Sequence, residues 1–491
     1  MPTPAVGAAL LVVALVACQP TALSAAPVAA SLPTHGTVVG EVSSTTAVVW
    51  GRCAGPATLH VRIDGDPRPH GVAVAADTDF TGKLALTGLP AATAHTYEAW
   101  CGGEADREPA AGLALRGAFR TAPDPDSPAA VRFAWSGDVG GQNVCRDRER
   151  GYPIFDRLAE RRLDFFIGLG DMIYADDVCK AVGLFGNAQI PGPPAAFALD
   201  TFWAHWQYNR ADAASQRLLS QVAYYAVWDD HEIRNDSGPH DDSSDRAPNG
   251  HLLPTALRAF LDYQPLIPPA SAPTRLYRSM RWGRHLELFL LDTRQYRDAA
   301  ATPDTPASRK TMLGREQLAW LEDALARSKA TWKVIVASVP LSIPTSPRVH
   351  DGFANGGAAG GYEREAESIF AMLRRRGIRD SVWITTDVHF ATGFVYHPFD
   401  DDPGWTAYEF TSGPLNSGIF PTQALDPTLH PQRLFYYAPP DADTIGSFDD
   451  AVGWFNFGEI EVSAEGALTV SILNGRGATV FQQRLPSPAE R

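Results

Sequence analysis

The chain has 491 residues, 45% of them hydrophobic, which is more than one core usually serves, so a catalytic-sized domain with a smaller companion is expected. Its formal net charge of -14 excludes the basic surface with which nucleic-acid-binding proteins neutralise phosphates. A phosphorylated ligand would have to be met by cations.

Residues 1–30 carry no charged side chain, and "VGAALLVVALVACQP" is an apolar run too short to span a membrane comfortably but suited to an export signal. The absence of Lys or Arg ahead of that run departs from the usual pattern. "LVAC", ending at Cys18, resembles a bacterial lipobox, in which Cys18 would become the lipidated terminus; ordinary cleavage near "SAAPVAA" is the alternative. Either way the expectation is an exported bacterial protein, periplasmic, extracellular or held at the cell surface, that touches a membrane only through an N-terminal lipid. Of five cysteines, four remain after the leader, an even number in an oxidising compartment. Chain order suggests Cys53 with Cys101 and Cys145 with Cys179, although four cysteines allow three pairings and free thiols are the alternative.

From 36 to 120 the apolar residues alternate, as in "TLHVRID", where Leu59, Val61 and Ile63 share a face, and turn residues recur between the runs. This predicts a small β-sandwich. "TGLPAATAHTYEAWC" resembles the corner of immunoglobulin-like and fibronectin-like domains, with Tyr97 ending it. "TAPDPDSPAA", 121–130, is a Pro-rich linker, and a second domain is expected over 131–485.

That second part alternates short apolar runs with amphipathic helices: "VRFAWSGD", "YPIFDRLAERR", "LDFFIGLGD", then "YYAVWDDH", "LELFLLD", "TWKVIVASV" and "SVWITTDVH". Strands buried on both faces and covered by helices imply an α/β (α+β) fold with mixed sheets. In "GREQLAWLEDALARS", Leu318, Leu321 and Leu325 mark the buried stripe. The chain closes as hairpin strands around "NGRG".

Strand after strand ends in an acid or an imidazole: Asp138, Asp171, Asp229 with Asp230, Asp292, and Asp387 with His389. Ligand crevices of α/β sheets lie at the carboxyl ends of strands, so these groups can converge. Several carboxylates at one point would take up protons unless polyvalent cations kept them ionised. Singly, each has a plainer reading: an Asp after a strand is usually a cap, Tyr174 a packed aromatic, and Asp292 a structural residue in a loop salt-bridged through Arg294 or Arg297. The ordered set carries the argument.

That set resembles the calcineurin-like metallophosphoesterase superfamily, with "SGDVGG", "GDMIY", "WDDHE" and "TTDVH" at its four blocks. The Tyr of "GDMIY" is similar to that of purple acid phosphatases and the alkaline phosphatase D (PhoD-like) family, and "WDDHEIRND", "LDTRQYR", "TTDVHF" and "EFTSGPLNSG" look most like the latter, over about 36–485. The resemblance implies iron held by Asp138, Tyr174 and His389, with Asp171 bridging to a second metal. Asp230 stands at the block's Asn position and Asp387 at its first His. These carboxylates favour a hard cation, and the resemblance implies Fe(3+) and Ca(2+), another divalent metal being possible at the second site. Asn235, in "RND", aligns near an Asn used for calcium. Many relatives place a Cys on iron near the first strand, where this chain has Asp138; Cys145 could be a ligand instead, but its disulfide is the simpler assignment.

The implied activity is hydrolysis of a phosphate mono- or diester by a metal-activated water. His231 would donate a proton beside Asp230, with Asp229 or Glu232 fixing its tautomer and Arg294 in support or on substrate. Two alternatives remain: a phosphodiesterase or phospholipase D-type enzyme on cell-surface or lipid diesters, and a noncatalytic surface binding protein.

Overall fold

A computed structural model describes residues 1, 30–240, 250–345, 351–355, 360–379 and 381–487. The expected leader, apart from its two end residues, and the candidate lipidation site Cys18 lie outside the described residues. Among the described residues no helix is long and apolar enough to cross a membrane.

Two large sheets face each other. In the first, of nine strands, Val131–Ser136, Phe165–Leu169 and Ala223–Val227 run parallel at the centre. The second, of seven strands, has a parallel centre of Leu286–Leu290, Trp332–Val336, Ser381–Thr385 and Ala407–Thr411. Because successive side chains point to opposite faces of a strand, an apolar run buried on both sides splits its residues between two cores. Phe133, Trp135, Phe165 and Ile167 meet Leu288, Val334 and Ile384 between the sheets. Their neighbours Ala134 and Phe166 face outward onto Phe202, Trp206, Leu218 and Phe260 of three helices, while Ile335 and Trp383 on the far side pack on Leu321, Leu325, Ile369 and Phe370. The result is a helix–sheet–sheet–helix sandwich whose strands are covered on both faces. In the helix Gly314–Arg327, Leu321 and Leu325 are buried and Leu318 is half-buried at the edge of the same cluster.

The N-terminal strands form a two-sheet β unit, with Leu59, Val61 and Ile63 all buried. One of its sheets is not separate. Thr37–Gly40, Thr46–Arg52 and Thr81–Thr87 extend the nine-stranded sheet, joined to Ala223–Val227 through Gly40 and Tyr224. The other, four-stranded sheet places Val61, Ile63, Tyr97 and Phe119 in the same core that lies between the two large sheets. Tyr97 closes the junction: its hydroxyl meets Thr37 Oγ1 at 2.9 Å and donates to the Ser220 carbonyl at 3.4 Å. Disulfides join Cys53 to Cys101 in this unit and Cys145 to Cys179 beside the strand ends described next.

Candidate metal centre

Four parallel strands from the two sheets end on one edge, and the residues that follow them meet there. Asp138 follows Val131–Ser136, Asp171 follows Phe165–Leu169, Asp229 and Asp230 follow Ala223–Val227, and Asp387 and His389 follow Ser381–Thr385. Potential ligand atoms of Asp138, Asp171 and His389 lie within 4.8 Å of one another, and so do those of Asp171, Asp229, Asp230 and Asp387. Asp171 belongs to both groups.

The backbone is bent to achieve this. Asp138 (φ 66°), Asp171 (φ 51°), Asp387 (φ 78°) and His389 (φ 59°) all occupy the left-handed region, which costs a non-glycine residue about 1–3 kcal/mol each and persists only where surroundings enforce it. Glu232 does much of the enforcing, its carboxylate accepting the backbone N–H groups of Asp171 (3.1 Å), Met172 (2.8 Å) and Asp229 (2.9 Å). Two glycines allow close approach. A Cβ on Gly141 of "SGDVGG" would stand 2.3 Å from the Tyr174 ring, and one on Gly413 of "EFTSGPLNSG" 2.4 Å from Asp138 Oδ2.

His389 donates Nδ1–H to the Gly418 carbonyl at 2.6 Å, which leaves Nε2 as the basic nitrogen, 3.0 Å from the Tyr174 hydroxyl and 3.4 Å from Asp138 Oδ1. Burial holds this imidazole down at about 3, so it stands neutral and able to ligate. An imidazole, a phenol and two carboxylates thus gather on one side, and carboxylates alone on the other.

Whether cations fit is answered by the unsatisfied oxygens. Asp138 Oδ1, Asp171 Oδ2, Asp229 Oδ2, Asp230 Oδ1 and Asp387 Oδ2 are buried with no hydrogen-bond partner among the described residues, one oxygen from each converging carboxylate. Buried carboxylate oxygens are normally bonded. Burial, reinforced by neighbouring carboxylates, pushes Asp138 up to about 7 and holds Asp171 and Asp387 well above the usual range. Burial pushes Asp229 up to about 6 even with the Arg294 guanidinium beside it. Without cations Asp171 and Asp387 would hold protons at neutral pH and Asp138 would be poised to; with cations each free oxygen gains a partner. The donor set fits a metal pair.

His231 lies against the Tyr174 ring, centroids 4.0 Å apart, and its backbone N–H donates to Asp171 Oδ1 at 3.2 Å. Its tautomer is fixed by Asp176, whose Oδ1 is 2.7 Å from Nδ1, and not by Asp229 or Glu232 as the sequence suggested. Those two carboxylates are engaged elsewhere: Glu232 with backbone amides, and Asp229 with Arg294 Nε (2.5 Å) and Ser338 Oγ (2.7 Å). Although burial opposes the charge, Asp176 and Asp230 raise His231 to about 10.

Arg294 is fully buried and held by Asp229 and by both oxygens of Asp351, at 2.8 and 2.7 Å; Arg297 also binds Asp351. Its guanidinium is thus engaged by carboxylates of the chain itself. Asp292 accepts from Trp228 Nε1 and the Arg294 backbone, as a structural loop residue. Asn235 is not brought in: it is exposed, and its amide turns onto Asp236. Asp236 and Asp351, neither marked by the sequence pattern, come within 4.8 Å of Asp230. Asp176 was missed although "GDMIYADD" places it two residues beyond Tyr174, a spacing that carries no signal outside a defined strand.

Residues 133–469 match the PhoD-like phosphatase family. Alkaline phosphatase D of Bacillus subtilis (strain 168) is 26% identical over 259 residues, an alignment covering 50% of this chain and 44% of that protein, so the chain spans less than half the length of this curated relative. A solved structure of PhoD has a TM-score of 0.73 at 19% identity, covering 93% of each chain. A purple acid phosphatase from yellow lupin (Lupinus luteus) seeds has a TM-score of 0.61 at 12% identity, covering 92% of this chain and 74% of that one. At these identities the structural likeness is one of fold.

Proposed function

The chain belongs to the PhoD-like phosphatases, and on that premise we propose that it is a metal-dependent phosphoric ester hydrolase. The observation that carries the reading is the convergence of the five unsatisfied carboxylate oxygens beside the Tyr174–His389 pair. Asp138, Asp171, Tyr174 and His389 would hold ferric iron. Asp171, Asp229, Asp230 and Asp387 offer oxygen alone and would hold calcium, which prefers hard donors. Bound together, such cations would supply an acidified water and a positive face for the phosphoryl oxygens.

The chain's own groups then divide the remaining work. The His231 imidazolium donates a proton to the leaving oxygen as the P–O ester bond breaks, yielding the alcohol and a phosphate product. Asp176 holds that ring at Nδ1 and leaves Nε2 as the donor, since no described residue bonds it. Arg294 offsets the charge of Asp229 and Asp351. Glu232 keeps the Asp171 and Asp229 backbones in register. Export through residues 1–30, with or without lipid on Cys18, is part of this reading.

Protein purified without chelator is expected to carry both metals by elemental analysis and to hydrolyse a nitrophenyl phosphate ester. Comparing a monoester with its bis-ester assigns the enzyme to phosphatase or phosphodiesterase. A fully metallated protein inert on both would return the noncatalytic binding reading to first place.

A further inference from the structure

We propose that Thr386 is a positioning residue of the metal centre, its hydroxyl occupying Asp138 Oδ2 so that Asp138 meets the iron-side cation through Oδ1 alone. The inference rests on the metal-dependent reading of the site, for which it names the residue that sets how the first carboxylate binds.

The carboxylates that follow the strands divide their two oxygens between the protein and the centre. Asp171 Oδ1 accepts the His231 backbone N–H at 3.2 Å, Asp229 Oδ1 accepts from Arg294 and Ser338, and Asp230 Oδ2 accepts the Asp236 backbone N–H at 2.5 Å. In each of the three the other oxygen is buried without a partner. Asp138 follows the same rule: Thr386 Oγ1 donates to Oδ2 at 2.8 Å, and Oδ1 is left free, 3.4 Å from His389 Nε2. The means differ. Asp171 and Asp230 are held by backbone amides, which the fold supplies whatever the side chains, and Asp229 by two donors. Among the described residues Asp138 depends on one hydroxyl, 248 positions away.

The local structure aims that hydroxyl. Thr385 and Thr386 follow each other in "TTDVH", but successive side chains leave a strand in opposite directions. Thr385 turns into the sheet, where its hydroxyl donates to Glu409 Oε1 at 2.8 Å and meets Thr411 Oγ1 at 2.8 Å. Thr386 turns to the edge. Its backbone N–H donates to the Ser338 carbonyl at 3.2 Å, and the Ser338 hydroxyl in turn holds Asp229, so the same short path braces a carboxylate on each side of the centre. Gly413 leaves the room: a Cβ there would stand 2.4 Å from Asp138 Oδ2 and 2.9 Å from Thr386 Oγ1. Asp138 is 0% and Thr386 1% exposed, which keeps bulk water from replacing the hydroxyl.

Two effects follow from one hydrogen bond. A carboxylate free at both oxygens can turn about its Cβ–Cγ bond or present both oxygens to one ion; a donor on Oδ2 fixes the plane and reserves Oδ1 for the cation. The same donor draws electron density from the carboxylate, so the cation keeps more of its charge for the water it acidifies. With the hydroxyl removed, Oδ2 would be a buried carboxylate oxygen with no donor, and Asp138 would leave its present orientation to find one.

The test uses the full chain purified without chelator. Thr386→Val keeps the branching of the side chain and removes the donor; Thr386→Ser keeps the donor. Parent and variants are dialysed against graded concentrations of a chelator and their metals counted by elemental analysis. Thr386→Val is expected to give up the iron-side metal at a roughly tenfold lower chelator concentration than the parent, with the metal held by Asp229, Asp230 and Asp387 retained as in the parent. Thr386→Ser should follow the parent for both metals. Thr386→Ala, which also lacks the donor and adds no bulk, serves should Thr386→Val not fold. Retention by Thr386→Val equal to that of the parent would overturn the proposal. So would loss of both metals in step, which would mark a loosened loop, and failure of Thr386→Ser to restore retention, which would assign the role to the methyl group. The expected order of retention in a parent inactive on nitrophenyl esters would uphold the positioning role while removing the hydrolase reading.

Discussion

His231 Nδ1 and Asp176 Oδ1 lie 2.7 Å apart with both side chains almost entirely buried, 55 residues apart in the chain. The pair makes the imidazole a donor, because Asp176, itself held at about 2 by His231 and backbone hydrogen bonds despite its burial, keeps the proton on the ring.

Asp176→Asn should therefore lower kcat on alkyl phosphate esters roughly 10²-fold but scarcely affect nitrophenyl esters, whose leaving group needs no proton. With the carboxylate gone the imidazolium is lost at lower pH, so the alkaline limb of the rate profile moves down from the region near 10. Metal content should stay at the parent level. Equal losses on both esters would remove His231 from the donor role.

Chelated protein should respond to pH in a way the metal-loaded protein does not. Asp138 at about 7 and Asp229 at about 6 sit above the 3.8 of an unfolded carboxylate, so the folded chelated chain binds more protons than the unfolded chain across that window. Its stability accordingly falls as pH rises from about 4 to 7. Bound cations take the place of those protons and abolish the fall. Urea midpoints at the two ends of the window, with and without chelator, measure it; parallel slopes would contradict the metal assignment.

Tyr174→Phe removes one oxygen from the Asp138, Asp171 and His389 side of the centre. If ferric iron sits there, a visible phenolate band in the parent disappears in the variant, while calcium measured by elemental analysis stays. A band of unchanged strength would place the iron elsewhere.

Arg294→Met strands two buried carboxylates, Asp229 and Asp351, the latter held at about 2 by Arg294 and Arg297 against its burial. Breaking one side of such a network costs about 3–5 kcal/mol, readable in the urea midpoint. Adding Asp351→Asn should recover part of the loss. A variant as stable as the parent would mean that water reaches these groups.

The sheets were legible because their strands are continuous apolar runs, and a strand buried on both faces has no other use for "VRFAW" or "FFIGL". Where the N-terminal strands attach was not: Gly40 pairing with Tyr224 is a contact across 184 positions that no local pattern records. Among site residues, those that directly follow a strand were found. Asn235, inferred by resemblance alone, faces solvent. Asp351 sits in a loop and is drawn in by Arg294 and Arg297, a choice made by charge in a low-dielectric interior and not by spacing.

The sequence by itself determined which donors reach the edge and in what order, since each buried run has to end where its chain meets water, and a polar residue there belongs to whatever lies beyond. Tertiary structure alone decided the partnerships: Asp176 with His231, Glu232 with three backbone amides, Asp351 with two arginines. Hydrogen bonds and ion pairs are selected by distance and direction in space, which sequence separation leaves open until the two sheets have closed on each other.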